Sequence, residues 1–286
     1  MTTFMSAATR AELETLLRDD APYGDLTTSS LGLDDAPAAM TFSARHDMVV
    51  ALVEDAAAII EIAGGAVELL ARSGDALSAG APILSARGPA GSLLRGWKVA
   101  QTLIEIWSGV ATSARDIVAA ARAAAPDVAV ACTRKHTPGV KRFAVAAVNA
   151  GGATMHRLGL SETILVFPEH LTLADTVELP AIAMRLRRMA PEKKLVIEVK
   201  TVEYGVAAAD AGFDVIQAEK FAPGDVRMLL NQLARRSSRP IIAAAGGINP
   251  GNAAHYASAG ADILVTSAPY AAAPRDVQVR IARAGA

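Results

Sequence analysis

The stretch IIAAAGGINPGNAAHYASAGADILVT, residues 241–266, decides how the chain is read. It opens on a short, fully apolar run bounded by glycines, the pattern of a strand buried on both faces. Gly246 and Gly247 bare the backbone. Asn249 and Pro250 then suit the N-cap and first position of a helix. A second apolar run, DILVT, follows. Strand, helix and strand in this order make a βαβ unit, which calls for a parallel sheet.

The same alternation repeats upstream. VAVAC, ILVF, LVIEV and VIQAE are short apolar runs separated by helical segments. From residue 127 onward the pattern predicts a parallel, barrel-like sheet with right-handed crossovers, open or incomplete. Earlier residues have a different texture. Residues 10–18 predict a short amphipathic helix, DAPYGDLTTSSLG a loop, and residues 53–63 a helix stopped at Gly64 and Gly65. ARSGDALSAGAPILSARGPAG reads as strand, turn, strand, and residues 92–124 as two helices broken near SGVATSA.

The chain has 286 residues, 52% of them hydrophobic, enough for a sizeable core and too apolar for disorder. Its 28 Lys and Arg against 29 Asp and Glu exclude a global attraction to nucleic acid or an anionic membrane. Charge, Gly or Pro interrupts every long apolar stretch. The opening MTTFMSAATRAELETLL lacks the basic and apolar regions of a signal peptide. The single cysteine, Cys132, cannot form an internal disulfide and reads as a small core residue. These features predict a cytoplasmic location.

In β/α barrels the chemistry sits at the C-terminal strand ends. Here Thr133, Arg134, Lys135 and His136 follow VAVAC. Lys200 follows LVIEV, with Glu198 one pleat earlier. Glu219 and Lys220 close VIQAE. The last two loops offer Ala245, Gly246 and Gly247, then Thr266, Ser267 and Ala268. Consecutive small-residue turns of this kind suit phosphate, because the backbone can approach it; ordinary turns between strand and helix are the other reading. Glu198 and Glu219, on neighbouring strands, are a carboxylate pair for Mg²⁺; salt bridges to Lys200 and Lys220 are the other reading. Residues 133–161 gather Arg134, Lys135, Lys141, Arg142 and Arg157 with His136 and His156, and contain no acid. Arg134 and Lys135 precede a helix, and His156 and Arg157 follow it. Together they predict a pocket for a multiply anionic small molecule carrying phosphate and carboxylate. Lys141 and Arg142 oppose the dipole at that helix start, which points to an anionic ligand, a partner chain or a solvated face. His46, His170 and His255 have no metal-ligand spacing and read as structural.

TRKHTPGVK, GGATMHRLGLSE, SLLRGWKVAQTLIEIWSGVAT, YGDLTT, IEVK and AAAGGI together resemble the quinolinate phosphoribosyltransferase (nicotinate-nucleotide pyrophosphorylase) family, nearly end to end. PYGDLTT, WKVAQ, GLSETILVF and TSAPY are most similar to its ModD branch, which is associated with molybdenum transport. The resemblance implies an N-terminal α/β sandwich domain (residues 1–112, joined by the tail 268–286) and an open parallel α/β barrel (113–267). It implies a homodimer, with higher oligomers open, in which the partner completes each active site. The implied reaction moves phosphoribose from phosphoribosyl pyrophosphate (PRPP), with Mg²⁺, to a ring nitrogen of a heterocyclic acid. Carried onto this sequence, Lys98, Arg134, His156, Arg157 and Phe167 face the acid. Lys135 faces PRPP, and Glu198 and Glu219 hold Mg²⁺ or the ribose. Loops 245–247 and 266–268 hold the 5-phosphate.

Three residues depart from the quinolinate enzymes. Lys98 stands where they have Arg, Phe167 where they have Lys, and Ala243 where they have Glu. The expected acceptor is therefore quinolinate-like but other than quinolinate. A conventional decarboxylating quinolinate enzyme, a Schiff-base lyase using Lys200 or Lys135, and a non-catalytic sensor of a phosphorylated ligand remain open alternatives.

Overall fold

The computed structural model describes residues 6–175 and 178–284. Residues 1–5, 285 and 286, which the sequence reading places in the N-terminal domain and its tail, lie outside the described residues. The chain runs α1 (Arg10–Asp20), α2 (Leu26–Ser30), β1 (Pro37–Ala44), β2 (Met48–Val49), α3 (Val53–Ala63), β3 (Ala66–Leu69), β4 (Ala76–Leu77), β5 (Pro82–Pro89) and α4 (Ala90–Ala124). It continues through β6 (Ala129–Cys132), α5 (Lys141–Ala150), β7 (Thr154–Met155), β8 (Ile164–Val166), α6 (Pro168–Thr172), α7 (Leu179–Met189) and β9 (Leu195–Val199). It closes with α8 (Val202–Asp210), β10 (Val215–Glu219), α9 (Pro223–Leu233), β11 (Ile241–Ala245), α10 (Ala253–Ser258), β12 (Ile263–Thr266), a 3₁₀ turn (Ala268–Ala271) and β13 (Val277–Arg283).

Two compact units result. The first comprises Met1–Arg115, His136–Gly152 and Pro269–Ala286; the second comprises Asp116–Lys135 and Ala153–Ala268. In the first unit an antiparallel sheet runs β13-β1-β5-β3. Along β1, Ala38, Met40, Phe42 and Ala44 are buried while Thr41 is exposed, the alternation of a sheet with one covered face. Helix α3 supplies the cover with fully buried Ile59 and Ile60.

Two local expectations for this unit need correction. The segment SGVATSA does not break the helix: α4 is continuous. Its small polar residues are used sideways instead. The Ser108 hydroxyl accepts the Ala51 N–H at 3.0 Å, and the Thr112 hydroxyl accepts the Val49 N–H at 2.9 Å. Gly109 lets the chain pass closely, since a Cβ there would lie 2.3 Å from the Ala273 carbonyl oxygen. DAPYGDLTTSSLG is likewise more than a loop. The Asp25 carboxylate accepts the N–H groups of Thr27 and Thr28 and starts α2.

The second unit is a seven-stranded parallel sheet in the order β7-β6-β12-β11-β10-β9-β8, an open half-barrel. The six strands read from the sequence are present, and β7 is added. Inward side chains Leu165, Val196, Val215, Ala243, Ala245 and Val265 form its core. On β11 they are alanines, so the interior is left partly unfilled. No helix among the described residues is long and apolar enough to cross a membrane.

Candidate active site

A cavity of about 560 Å³ opens at the C-terminal strand ends of the half-barrel. Strand register explains its lining. Glu198 pairs with Gln217, Gln217 with Ala243, and Glu219 with Ala245, all on the inward parity of the core residues. The sheet order then sorts charge by position. Arg134, Lys135, His156 and Arg157 follow β6 and β7 at one end of the sheet, while Glu169, Glu198 and Glu219 come from β8 to β10 at the other. Between them lie the bare turns after β11 and β12, with Ala245, Gly246, Gly247, Thr266 and Ser267 on the wall.

The cationic end is partly buried. Arg157 is only 8% exposed, and its guanidinium lies 5.5 Å from the centre of the Phe167 ring. Burial, then the nearby Arg134 charge, lower the Arg157 pKa. Burial, then Arg157, hold His156 below the ordinary histidine range, which favours the neutral ring. Phe167 also stacks on His170 (5.8 Å, 20°), and the Phe167 N–H donates to His170 Nδ1 at 2.9 Å. His170 is thus a structural support, as the sequence suggests.

The acidic end sets three carboxylates, Glu169, Glu198 and Glu219, beside the single cation Lys220. Burial first, then the Glu219 carboxylate, raise the Glu198 pKa, while the Gln217 hydrogen bond opposes the rise. Gln217 Nε2 donates to Glu198 at 2.8 Å, and Gln217 Oε1 is buried without a partner among the described residues. Those residues contain no ion pair from Glu198 or Glu219 to Lys200 or Lys220. An acid whose folded pKa is raised binds more protons in the native state, so its contribution to stability falls as pH rises through that range. Glu198→Gln removes the buried charge. With a chelator present, this variant should melt a few degrees above the parent at pH 8, and the gap should close near pH 4. Thermal unfolding at both pH values checks this, and a lower melting point at pH 8 would contradict it.

The turns after β11 and β12 are built from small parts. Gly246 and Gly247 are both left-handed, at φ +92 and +76. A Cβ on Gly247 would meet nothing within 4 Å. Thr266 Oγ1 donates to the Ile248 carbonyl and accepts the Ala268 N–H at 3.0 Å, tying the two turns together. The expected helix start at Asn249 and Pro250 is displaced, because α10 begins at Ala253. Asn249 Oδ1 instead accepts the Gly251 N–H, and Asn252 Oδ1 accepts the Asn249 N–H, which makes a side-chain-closed turn before the helix.

Other residues singled out in the sequence lie elsewhere. Lys98 belongs to the first unit, on α4, with its Nζ 4.2 Å from the Trp97 ring centre and 3.2 Å from Gln101 Oε1. Within that unit Arg142 forms an ion pair with Glu12, and His136 meets the Tyr270 ring edge-on. Lys200 lines two side crevices rather than the main cavity. Burial pushes the Cys132 thiol up to about 12, in keeping with an inert core residue. Glu169 and Gln217 escaped the sequence reading. The inward parity of VIQAE could have revealed Gln217; nothing in the sequence singled out Glu169. The described residues include no group of three or more His, Cys, Asp or Glu placed to hold a metal.

The half-barrel fold is that of nicotinate-nucleotide pyrophosphorylases, and the sequence matches make the chain a nicotinate-nucleotide pyrophosphorylase-like pentosyltransferase. The family description "Quinolinate phosphoribosyl transferase, C-terminal domain" matches residues 110–280, and its N-terminal counterpart matches residues 25–108. The chain belongs to the quinolinate phosphoribosyl transferase family. Its relatives include "Putative pyrophosphorylase ModD" of Rhodobacter capsulatus, 47% identical over 85% of this chain and 93% of that protein. The protein of the same name from Pasteurella multocida is 37% identical over 94% of this chain and 96% of its own length. The solved structure of NadC from Streptococcus pyogenes matches with a TM-score of 0.89 at 24% identity, covering 99% of each chain. The ModD resemblance and the α/β fold class read from the sequence are thereby borne out.

Proposed function

We propose that the chain transfers phosphoribose from PRPP, in the presence of Mg²⁺, to a ring nitrogen of a heterocyclic acid other than quinolinate. The observation that carries this is the sorting of one cavity into a cationic end, an acidic end and bare turns between them. A phosphorylated, metal-chelating donor and an acidic acceptor need those three surfaces together. In this reading the 245–247 and 266–268 turns hold the 5-phosphate, and Lys135 contacts the PRPP side. Arg134, His156 and Arg157 orient the acceptor's carboxylate.

Glu198 and Glu219 would hold Mg²⁺, and their oxygen donors, in no ion pair with Lys200 or Lys220 among the described residues, fit a hard cation that carries substrate phosphates with it. Bound there, Mg²⁺ would offset the charge that develops on departing diphosphate. The acceptor nitrogen attacks the anomeric carbon as the bond to diphosphate breaks. The residues at the cationic end need only position and stabilise. The test is a screen of nitrogen-heterocyclic acids with PRPP and Mg²⁺, read as released diphosphate. PRPP binding without turnover of any acceptor would favour a sensor. A role beside molybdate transport follows from the ModD resemblance and is part of the proposal.

The proposal includes a homodimer in which Lys98 serves the partner's site. Lys98→Ala and Lys135→Ala should each be inactive alone. Mixed and allowed to exchange, they should regain activity in about a quarter of sites, since each mixed dimer has one intact site. No recovery after verified exchange would exclude sharing.

A further inference from the structure

The turn that ends β10 brings a further cation to the cavity. Side chains alternate along β10, so Val215, Gln217 and Glu219 face inward and Lys220 by the same rule would face out. Lys220 lines the cavity nonetheless, and it also borders the crevice formed with Thr201, Glu203 and Asp225. Its backbone explains how. Lys220 has φ +58, and with Leu52 it is one of two non-glycine residues described in the left-handed region. A lysine is strained there. Its N–H donates to the Ala245 carbonyl oxygen at 2.7 Å, which pins the turn to the start of the glycine loop. The start of the side chain packs against Gly246, where a Cβ would lie 2.7 Å from Lys220 Cγ. Among the described residues no ion pair holds its ammonium. Asp225, the next carboxylate along the chain, is engaged by the Ala222 N–H.

We propose that Lys220 is a phosphate-binding residue, whose ammonium is turned inward by the left-handed backbone and closes over the Gly246–Gly247 loop on the ligand's phosphate monoester. This rests on the reading of that loop as a phosphate site. The loop alone offers backbone dipoles, and the lysine adds a full charge. Backbone strain persists where the surrounding structure fixes it and function uses it. Here the strained turn changes which side of the sheet the cation serves.

Ribose 5-phosphate is the probe, because it carries the monoester without the diphosphate. Lys220→Asn removes the charge and keeps a residue that tolerates the left-handed turn. Lys220→Gly removes both charge and strain. Both should bind ribose 5-phosphate at least tenfold more weakly by calorimetry, and the glycine variant should melt no lower than the parent. Gly247→Asp, which points a carboxylate into the loop's open space, should abolish binding. If Gly247→Asp abolishes binding while both Lys220 variants bind within twofold of the parent, the role of Lys220 is overturned and the phosphate loop stands. If the unmodified protein does not bind ribose 5-phosphate, the loop reading fails and this inference fails with it.

Discussion

Phe167→Lys is expected to raise kcat/KM for quinolinate by roughly 10- to 100-fold over a weak starting value. Quinolinate carries two adjacent carboxylates, and each needs a cationic partner once water is excluded. In the cavity Phe167 presents an apolar ring 5.5 Å from the Arg157 guanidinium, so its position adds no second cation there. A charge-assisted hydrogen bond contributes about 1.5–3 kcal/mol. Each 1.4 kcal/mol is about tenfold, which sets the expected range. Phe167→Met removes the ring without adding charge and should give no such gain. Steady-state kinetics on the parent and both variants decide the matter. A parent value at or above about 10⁴ M⁻¹s⁻¹, the ordinary enzyme range, would make this a conventional quinolinate enzyme.

Glu219→Gln should weaken PRPP binding by more than tenfold when Mg²⁺ is present and by little when it is chelated. The carboxylate stands at the inward end of β10, in register with Ala245 of the proposed phosphate turn. It is close enough to raise the Glu198 pKa. The amide keeps the shape and removes the charge, so a metal ligand and a structural residue respond differently. Titration of PRPP by calorimetry, with Mg²⁺ and with chelator, separates them. Equal losses in the two conditions would mark Glu219 as structural.

The second unit was legible because parallel strands buried on both faces are continuous apolar runs. IIAAA and LVIEV are such runs, and their alternation with helical segments is what marks them as strands. The strand-end rule then found most of the cavity wall, from Arg134 to Ser267. Errors arose where side chains act on the backbone. Asn249 and Asn252 close a turn of their own, so α10 starts late. Ser108 and Thr112 look like helix breakers until their hydroxyls are seen capping buried N–H groups of another segment. Gln217 is hard to see because a single polar letter in an apolar run passes for part of the strand, and only its inward parity shows that it faces the cavity. Lys220 was visible as a charge, but its direction depends on one dihedral angle that composition does not encode.

An open barrel also has a colloidal consequence. A sheet that does not close ends in two terminal strands, and such margins can recruit a foreign strand and seed aggregates. Here those strands are Thr154–Met155 and Ile164–Val166, two and three residues long. Amyloid-forming segments usually need about six residues to hold register. The unclosed ends are too short to template a fibre, so the half-barrel can stay open without becoming a nucleus for self-assembly.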